Sequence, residues 1–393
     1  MSPRAGPGMA PLQVGGRLQR LRGLLGAAGE DGDAVEGLLV TTPANVRWLS
    51  GFTGSAGILL VTGDDAVLAT DGRYRTQASE QLAEAGAGTD IAICIGGAQA
   101  QREEVVRRAG GMGSLGLEAD HITWAAQRAW DGLLVEPRLV PIRGVVEGLR
   151  RVKDPGEVAR MERAAAIADE ALAEVLPLLS AAGVGAAGVC GAGVGGELTE
   201  SRFAAALDHA MRLRGAEESA FETIVASGEN SAKPHARPGD RAIRAGDPVV
   251  VDFGAVFDGY RSDMTRTFCV GGAPTGELAS VFEVVAESQR TGVRSVVPGV
   301  TAGSIDEACR KVIAASGWGE RFEHGTGHGV GLDIHEEPSV GPGSTAILVP
   351  GTVVTVEPGI YLPGTGGVRI EDTLVVTEDA SRSLTQFPKE VAV

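Results

Sequence analysis

The chain has 393 residues, 43% hydrophobic and 22% charged, which suits two or three globular domains. Its 35 basic and 51 acidic residues leave a net charge of −16, which repels phosphate backbones and excludes nucleic acid as a natural partner. Cys94, Cys190, Cys269 and Cys309 are scattered without a C-x-x-C pair, so they read as thiols of a reducing compartment, not as a disulfide framework or a zinc knuckle. Residues 1–14 carry Pro and Gly without periodicity and read as a mobile tail lacking the apolar core of a secretory signal. No run approaches the ~18 apolar residues of a membrane span, so a cytoplasmic protein without membrane contact is expected.

Residues 17–28 have apolar positions at helical spacing. Three short apolar runs follow at 37–41, 57–61 and 66–70, the last two joined by a turn over 62–65, and all three read as strands. A helix is expected from Asp71 to about residue 85, a strand over 91–95 and a helix over 100–109. This alternation predicts an α/β domain over 15–145. A boundary falls near 141–152, and the second domain is expected over 149–393. Its first helix has Asp154 as N-cap, Pro155 at the first helical position and Glu157 at the third, the spacing of a capping box. Residues 182–196 are a Gly/Ala stretch. Gly191, Gly193 and Gly196 satisfy G-x-G-x-x-G there, but helix-like sequence precedes them where a dinucleotide loop needs a strand, so an inter-helix turn is expected. Another helix is expected at about 199–213.

Two carboxylate pairs follow. Residues 247–270 are two β-rich runs flanking Asp258–Gly259, a strong two-residue hairpin signal. With the turn there, Gly254 faces Asp263 and Asp252 faces Thr265, so Asp252 and Asp263 lie diagonally on one face of the sheet. Asp is disfavoured inside strands, and two ionised carboxylates on a half-buried face repel unless a cation lies between them. The pattern alone leaves a metal pair and solvent-facing acids on an edge hairpin equally open. Residues 352–376 repeat it. A strand over 352–356 ends in Glu357, held extended by Pro358, and a return strand over 368–376 carries Glu371.

Between the pairs lies residues 324–335, HGTGHGVGLDIH, holding three of the six histidines in a glycine-alternating loop that lets backbone approach closely. It lacks the G-K-[ST] ending of a phosphate loop. Three histidines flanked by paired carboxylates point to a metal or catalytic site. Four carboxylates and one imidazole are an oxygen-rich set suited to Mn²⁺, Co²⁺ or Zn²⁺, and bridging carboxylates hold two such ions about 3.5–4 Å apart.

The segments VDFGAVFDGYRSDMTRTF (251–268), HGTGHGVGLDIHEEP (324–338), TVEPGIY (355–361) and GGVRIEDT (366–373) resemble the pita-bread metallopeptidases, and within them the aminopeptidase P and prolidase branch. The resemblance covers residues 149–393. Residues 45–57 (NVRWLSGFTGSAG) and 70–78 (TDGRYRTQA) resemble that branch's creatinase-like N-terminal domain, and the chain looks most like the small bacterial aminopeptidases P. It implies an α/β N-terminal domain and an α+β pita-bread domain with a curved antiparallel sheet backed by helices. It implies two divalent ions, Mn²⁺ in the first place, on Asp252, Asp263, His328, Glu357 and Glu371, with Asp263 and Glu371 bridging. Glu357 would also carry a proton from the attacking water to the leaving nitrogen. His235 would lie near the scissile bond, His335 would bond the substrate carbonyl and its oxyanion, His324 would line the proline pocket and Arg369 would orient the substrate end or the ligand shell. The implied activity is release of an N-terminal residue from a peptide with proline in second position, by a homodimer. A prolidase restricted to Xaa-Pro dipeptides is the alternative, and a peptide-binding module without turnover a third reading.

Overall fold

The computed structural model describes residues 9–29, 32, 34–183 and 197–393. The Gly/Ala stretch expected as a turn therefore lies, from residue 184 onward, outside the described residues. The chain forms two compact units. One is Pro11–Arg150, and the other is Arg151–Val393 with residues 9 and 10. Of the stretch expected as a tail, residues 1–8 lie outside the described residues, while Met9 packs on a core cluster of the second unit and Val14 is buried in the first.

The first unit is built on a six-stranded sheet in the order Ala92–Ile95, Ala66–Thr70, Gly57–Thr62, Gly37–Val40, Ser114–Glu118, Arg138–Ile142. The three central strands form an antiparallel run, and parallel strands extend it at both edges. Alternation along the strands divides the apolar residues between two faces. Leu39, Leu60 and Val67 pack with Val105 and Trp130 from the helices Ala98–Ala109 and Trp124–Leu133. The neighbouring Leu38, Leu59 and Leu68 are equally buried on the other face, where helices Arg17–Leu25 and Pro43–Ser50 lie against the strands. Helices 43–50 and 124–133 and the strands after residue 110 were not legible as periodic runs.

The second unit consists of two similar halves. The first has the antiparallel sheet Met264–Cys269, Pro248–Phe253, Ile224–Ser227, covered by helices Pro155–Val175 and Glu200–Leu213. The second has the antiparallel sheet Glu336–Val340, Gly327–Gly329, Val353–Val356, Asp372–Val376, Ser381–Ser383, covered by helices Gly276–Ser295 and Ala302–Ala315. The helix at 155 opens as expected: Asp154 Oδ1 accepts from the Gly156 and Glu157 backbone N–H groups, and the Glu157 carboxylate accepts from Asp154 N–H at 2.9 Å.

Both halves contain a hairpin whose ladder breaks in the middle and resumes in the same register. In the first, Met264 pairs with Phe253 and Thr265 with Asp252, as expected, and pairing resumes beyond the break with Arg261 and Val256. Asp258 (φ 45°) and Gly259 (φ 71°) form the turn, whose positive φ at both central residues is the condition for a type I′ hairpin. In the second, Val356 pairs with Asp372 and Gly359 with Arg369. The expected single return strand over 368–376 is therefore two strands, Gly366–Arg369 and Asp372–Val376, interrupted at Ile370 and Glu371. The halves are tied along this seam. Glu371 N–H donates to Thr265 O, and the Thr267 and Thr373 hydroxyls donate to the Arg369 and Asp263 carbonyls.

Candidate functional site

The breaks in the two hairpins fall at carboxylates. Asp263 precedes the strand Met264–Cys269, opposite Gly254, where a Cβ would meet the Ser262 carbonyl oxygen at 1.9 Å. Glu357 and Glu371 stand opposite one another at the second break. His328 is central in the short strand Gly327–Gly329, which pairs beside Val353–Val356. Gly327 leaves no space there, since a Cβ would lie 2.1 Å from the Thr355 carbonyl oxygen. The alternating glycines thus bring the imidazole's strand against that of Glu357.

Asp252, Asp263, His328, Glu357, Glu371, Arg369, His235, His324 and His335 all line one cavity of about 640 Å³. Among the described residues, Asp263, His328 and Glu371 form a cluster whose ligand atoms all lie within 4.8 Å of one another. His328 Nδ1 donates to the Gly329 carbonyl at 2.9 Å, which turns Nε2 toward Asp263 Oδ2 and Glu357 Oε1, both at 3.5 Å. Burial pushes the His328 imidazolium down to about 4, so the ring is neutral at pH 7 and presents a lone pair.

Asp252 and Glu371 share one pattern. Asp252 Oδ2 accepts from Arg369 Nη2 at 2.6 Å, while its Oδ1 is buried without a hydrogen-bond partner. Glu371 Oε2 accepts from the Thr265 hydroxyl at 2.7 Å, while its Oε1 is buried without one. Burial raises the Asp263 carboxyl well above its ordinary range, and Glu371 and Asp252 add to the effect. The Glu371 carboxyl is raised well above its range by burial and by Glu357. Burial pushes Glu357 up to about 8 against the pull of Arg369. Orphaned carboxylate oxygens and a neutral imidazole nitrogen facing two carboxylates fit divalent cations, which would satisfy these lone pairs and relieve the repulsion.

Around the cluster, the tautomers follow from the hydrogen bonds. Arg369 Nη1 donates to the Tyr361 hydroxyl at 2.9 Å, Tyr361 donates to His324 Nε2 at 2.9 Å, and His324 Nδ1 donates to the Gly325 carbonyl at 2.8 Å. Burial holds His324 down at about 4, consistent with a neutral ring that uses both nitrogens. His324 lines the cavity with both ring nitrogens already engaged. His335 is exposed to the cavity, its ring centroid 4.4 Å from that of His328, and His235 is exposed on the opposite rim loop. Phe221, Pro234, Pro238 and Ile334 supply apolar wall.

Sequence reasoning missed three residues that organise this site: Thr265, Thr355 and Tyr361. Each was within reach of strand alternation. Thr265 stands opposite Asp252, and Thr355 lies two residues before Glu357, to whose Oε1 it donates at 3.3 Å. Tyr361 lies four residues after Glu357 on the same run.

Residues 159–378 match metallopeptidase family M24, and residues 17–152 match the Creatinase/Prolidase N-terminal domain. The chain is 40% identical over 377 residues to the uncharacterized peptidase YqhT of Bacillus subtilis, covering 96% of this chain and 99% of that one. A solved Xaa-Pro dipeptidase from Bacillus anthracis superposes with a TM-score of 0.87 at 36% identity, over 97% of this chain and all of that one. An X-Pro aminopeptidase from Thermotoga maritima superposes with a TM-score of 0.79 at 32% identity, over 91% and 98% of the two chains.

Proposed function

The chain belongs to metallopeptidase family M24, and we propose that it hydrolyses the bond between the N-terminal residue of a peptide and a proline in second position. One observation carries this reading. A carboxylate–imidazole cluster with free inward-facing oxygens opens on a cavity with an apolar and aromatic wall. The relatives act on Xaa-Pro substrates by name, both as dipeptidases and as aminopeptidases.

Asp252, Asp263, His328, Glu357 and Glu371 would hold two divalent ions, Mn²⁺ by preference, with Co²⁺ and Zn²⁺ as alternatives. The ions would polarise the scissile carbonyl and make a water acidic enough to serve as nucleophile near neutral pH. The Glu357 carboxylate accepts one proton of the attacking water and delivers it to the prolyl nitrogen as the C–N bond breaks; the proton left on the new carboxyl group then passes to the amine, so a carboxylate and a protonated amine leave. Thr355 holds one Glu357 oxygen in place. His335, exposed to the cavity beside His328, donates to the carbonyl oxygen as charge develops on it. His235 serves the same region from the facing loop. The His324 ring, locked by Tyr361 and Gly325, provides a flat wall for the proline ring. Arg369 anchors Asp252.

Charge along the wall favours a peptide longer than a dipeptide. The cavity's arginines are Arg369, committed to Asp252, and Arg237, paired with Glu222 at 3.3 Å on the rim. Arg237 and Glu222 are both largely exposed, so their pairing weakens without abolishing the attraction of a dipeptide's C-terminal carboxylate, whereas a longer peptide brings a neutral amide there. Cleavage of Xaa-Pro-Xaa and Xaa-Pro with Mn²⁺ supplied is the direct comparison. The tripeptide is expected to be favoured at least about tenfold in kcat/KM. The reverse order would make the protein a dipeptidase, and no cleavage of either with Mn²⁺, Co²⁺ or Zn²⁺ would remove the peptidase reading. A homodimer belongs to the same reading, and light scattering that shows a monomer would remove that part.

A further inference from the structure

His335 projects from a turn whose conformation is set from below. The turn closes through Gly331 N–H on the Asp333 carbonyl, and Asp333 N–H donates to Glu336 Oε1 at 3.1 Å. The Glu336 carboxylate is tucked tightly under it: a Cβ on Gly331 would lie 2.6 Å from both carboxylate oxygens. Glu336 also begins the strand Glu336–Val340, opposite Gly329, the neighbour of His328. Its other oxygen meets Lys153 Nζ at 3.0 Å, with side chains 7% and 1% exposed.

Lys153 arrives there by design of the backbone. Val152 bridges to Thr352, and Lys153 N–H donates to Gly351 O at 2.9 Å, immediately before the strand Val353–Val356 that leads to Glu357. The next residue, Asp154, starts the capped helix Pro155–Val175. The Lys153 backbone is therefore fixed on two sides, and its buried side chain meets the Glu336 carboxylate.

A buried ion pair is a costly way to stabilise a fold, because desolvation offsets most of the attraction and an apolar pair of equal volume often does as well. What such a pair supplies is direction. The Glu336 carboxylate must stay oriented to receive Asp333 N–H, and the His335 ring has the side of His328 as its neighbour in the cavity. We propose that Lys153 is a positioning residue: through Glu336 it holds the turn 331–335 so that the His335 imidazole points at the scissile carbonyl. The inference rests on the peptidase reading given above. It assigns a role in the reaction to a residue that contacts neither substrate nor the metal cluster.

A double-mutant cycle on the metal-loaded full chain tests it. Lys153→Met keeps an unbranched apolar stem and removes the charged ammonium group. It is expected to lower kcat for an Xaa-Pro-peptide by about tenfold, with KM and Mn²⁺ affinity within about twofold of the parent. In a His335→Ala background the same substitution is expected to cost almost nothing further, since its effect runs through His335. Lys153→Arg, which retains the charge, is expected to recover most of the loss. Equal fold-losses from Lys153→Met with and without His335, or a matching fall in Mn²⁺ affinity, would overturn the proposal and leave a structural role. If Lys153→Met does not fold, Glu336→Gln in the same cycle decides the same question, because it keeps an acceptor for Asp333 N–H and removes the charge. An unmodified protein that cleaves no Xaa-Pro bond would instead remove the peptidase reading, which the cycle thereby separates from the proposal about Lys153.

Discussion

An imidazole lone pair aimed at two carboxylate oxygens 3.5 Å away is repulsive unless a metal ion or a proton lies among them. The same holds for Asp252 Oδ1 and Glu371 Oε1, each buried while its sister oxygen is anchored by Arg369 or Thr265. One oxygen of each carboxylate is spent on orientation and the other is left to bind, so the anchors matter as much as the ligands. Asp263→Asn keeps the shape and removes one charge and one strong oxygen donor. It is expected to weaken Mn²⁺ binding by at least about tenfold by calorimetry and to abolish peptide release. A variant that still binds peptide and metal as the parent does would indicate a binding module, and one that still turns over would displace Asp263 from the metal site.

At the scale of elements, the site is made by two hairpins that share a design: a ladder, a break and a resumed ladder in the same register, with acids at the break. The close approaches around the breaks depend on glycine for space and not for φ, since neither Gly254 nor Gly327 has a positive φ. Gly254→Ala would put a methyl 1.9 Å from Ser262 O, and Gly327→Ala would put one 2.1 Å from Thr355 O, both against backbone that cannot rotate away. Each is expected to cost about 1–3 kcal/mol in chemical denaturation of the metal-loaded protein. Gly148→Ala, in the helix Val145–Arg150 with nothing within 4 Å, is expected to be neutral or slightly stabilising. Equal behaviour of the three would mean that the close approaches do not hold the breaks in shape.

For the molecule as a whole, the buried acids link stability to pH and to metal. The Glu357 carboxyl at about 8 is raised above its unfolded value near 4.5. Between those values the folded chain holds a proton that the unfolded chain has released, so this group lowers the stability of the chelated protein as pH rises; below about 6.5 His324 and His328, both held down at about 4, act in the opposite sense, so the fall belongs to the range from about 6.5 to 8. Each such proton contributes a slope of about 1.4 kcal/mol per pH unit. Melting of the chelated protein from about pH 6.5 to 8 is expected to show this fall, reduced by one proton in Glu357→Gln and removed by saturating Mn²⁺ bound to the folded form. A flat profile in the chelated parent would contradict the burial of these acids. No helix among the described residues is long and apolar enough to cross a membrane, in line with the apolar runs in the sequence.

Local rules made several of these features legible in the chain itself. Asp258–Gly259 specified a turn that only positive φ residues can make, and that turn set the register placing Thr265 opposite Asp252. Asp154 and Glu157 specified a helix start because both partners of the capping box lie within three residues. Strand alternation then put two acids on one face, but it gave no reason for the second pair and His328 to join them; that rested on resemblance. Helix 43–50 and the break at Ile370–Glu371 escaped because short elements and interruptions leave no periodicity to read. The sequence by itself determined where the first hairpin turns and the register in which its strands pair, since those are matters of neighbouring residues. Only the tertiary structure decided that the two breaks meet, that Tyr361 locks His324 and that Lys153 reaches Glu336 across 183 positions. The physical reason is that convergence of distant segments is set by how two sheets pack along the seam of Thr265, Thr267 and Thr373, which no local pattern encodes.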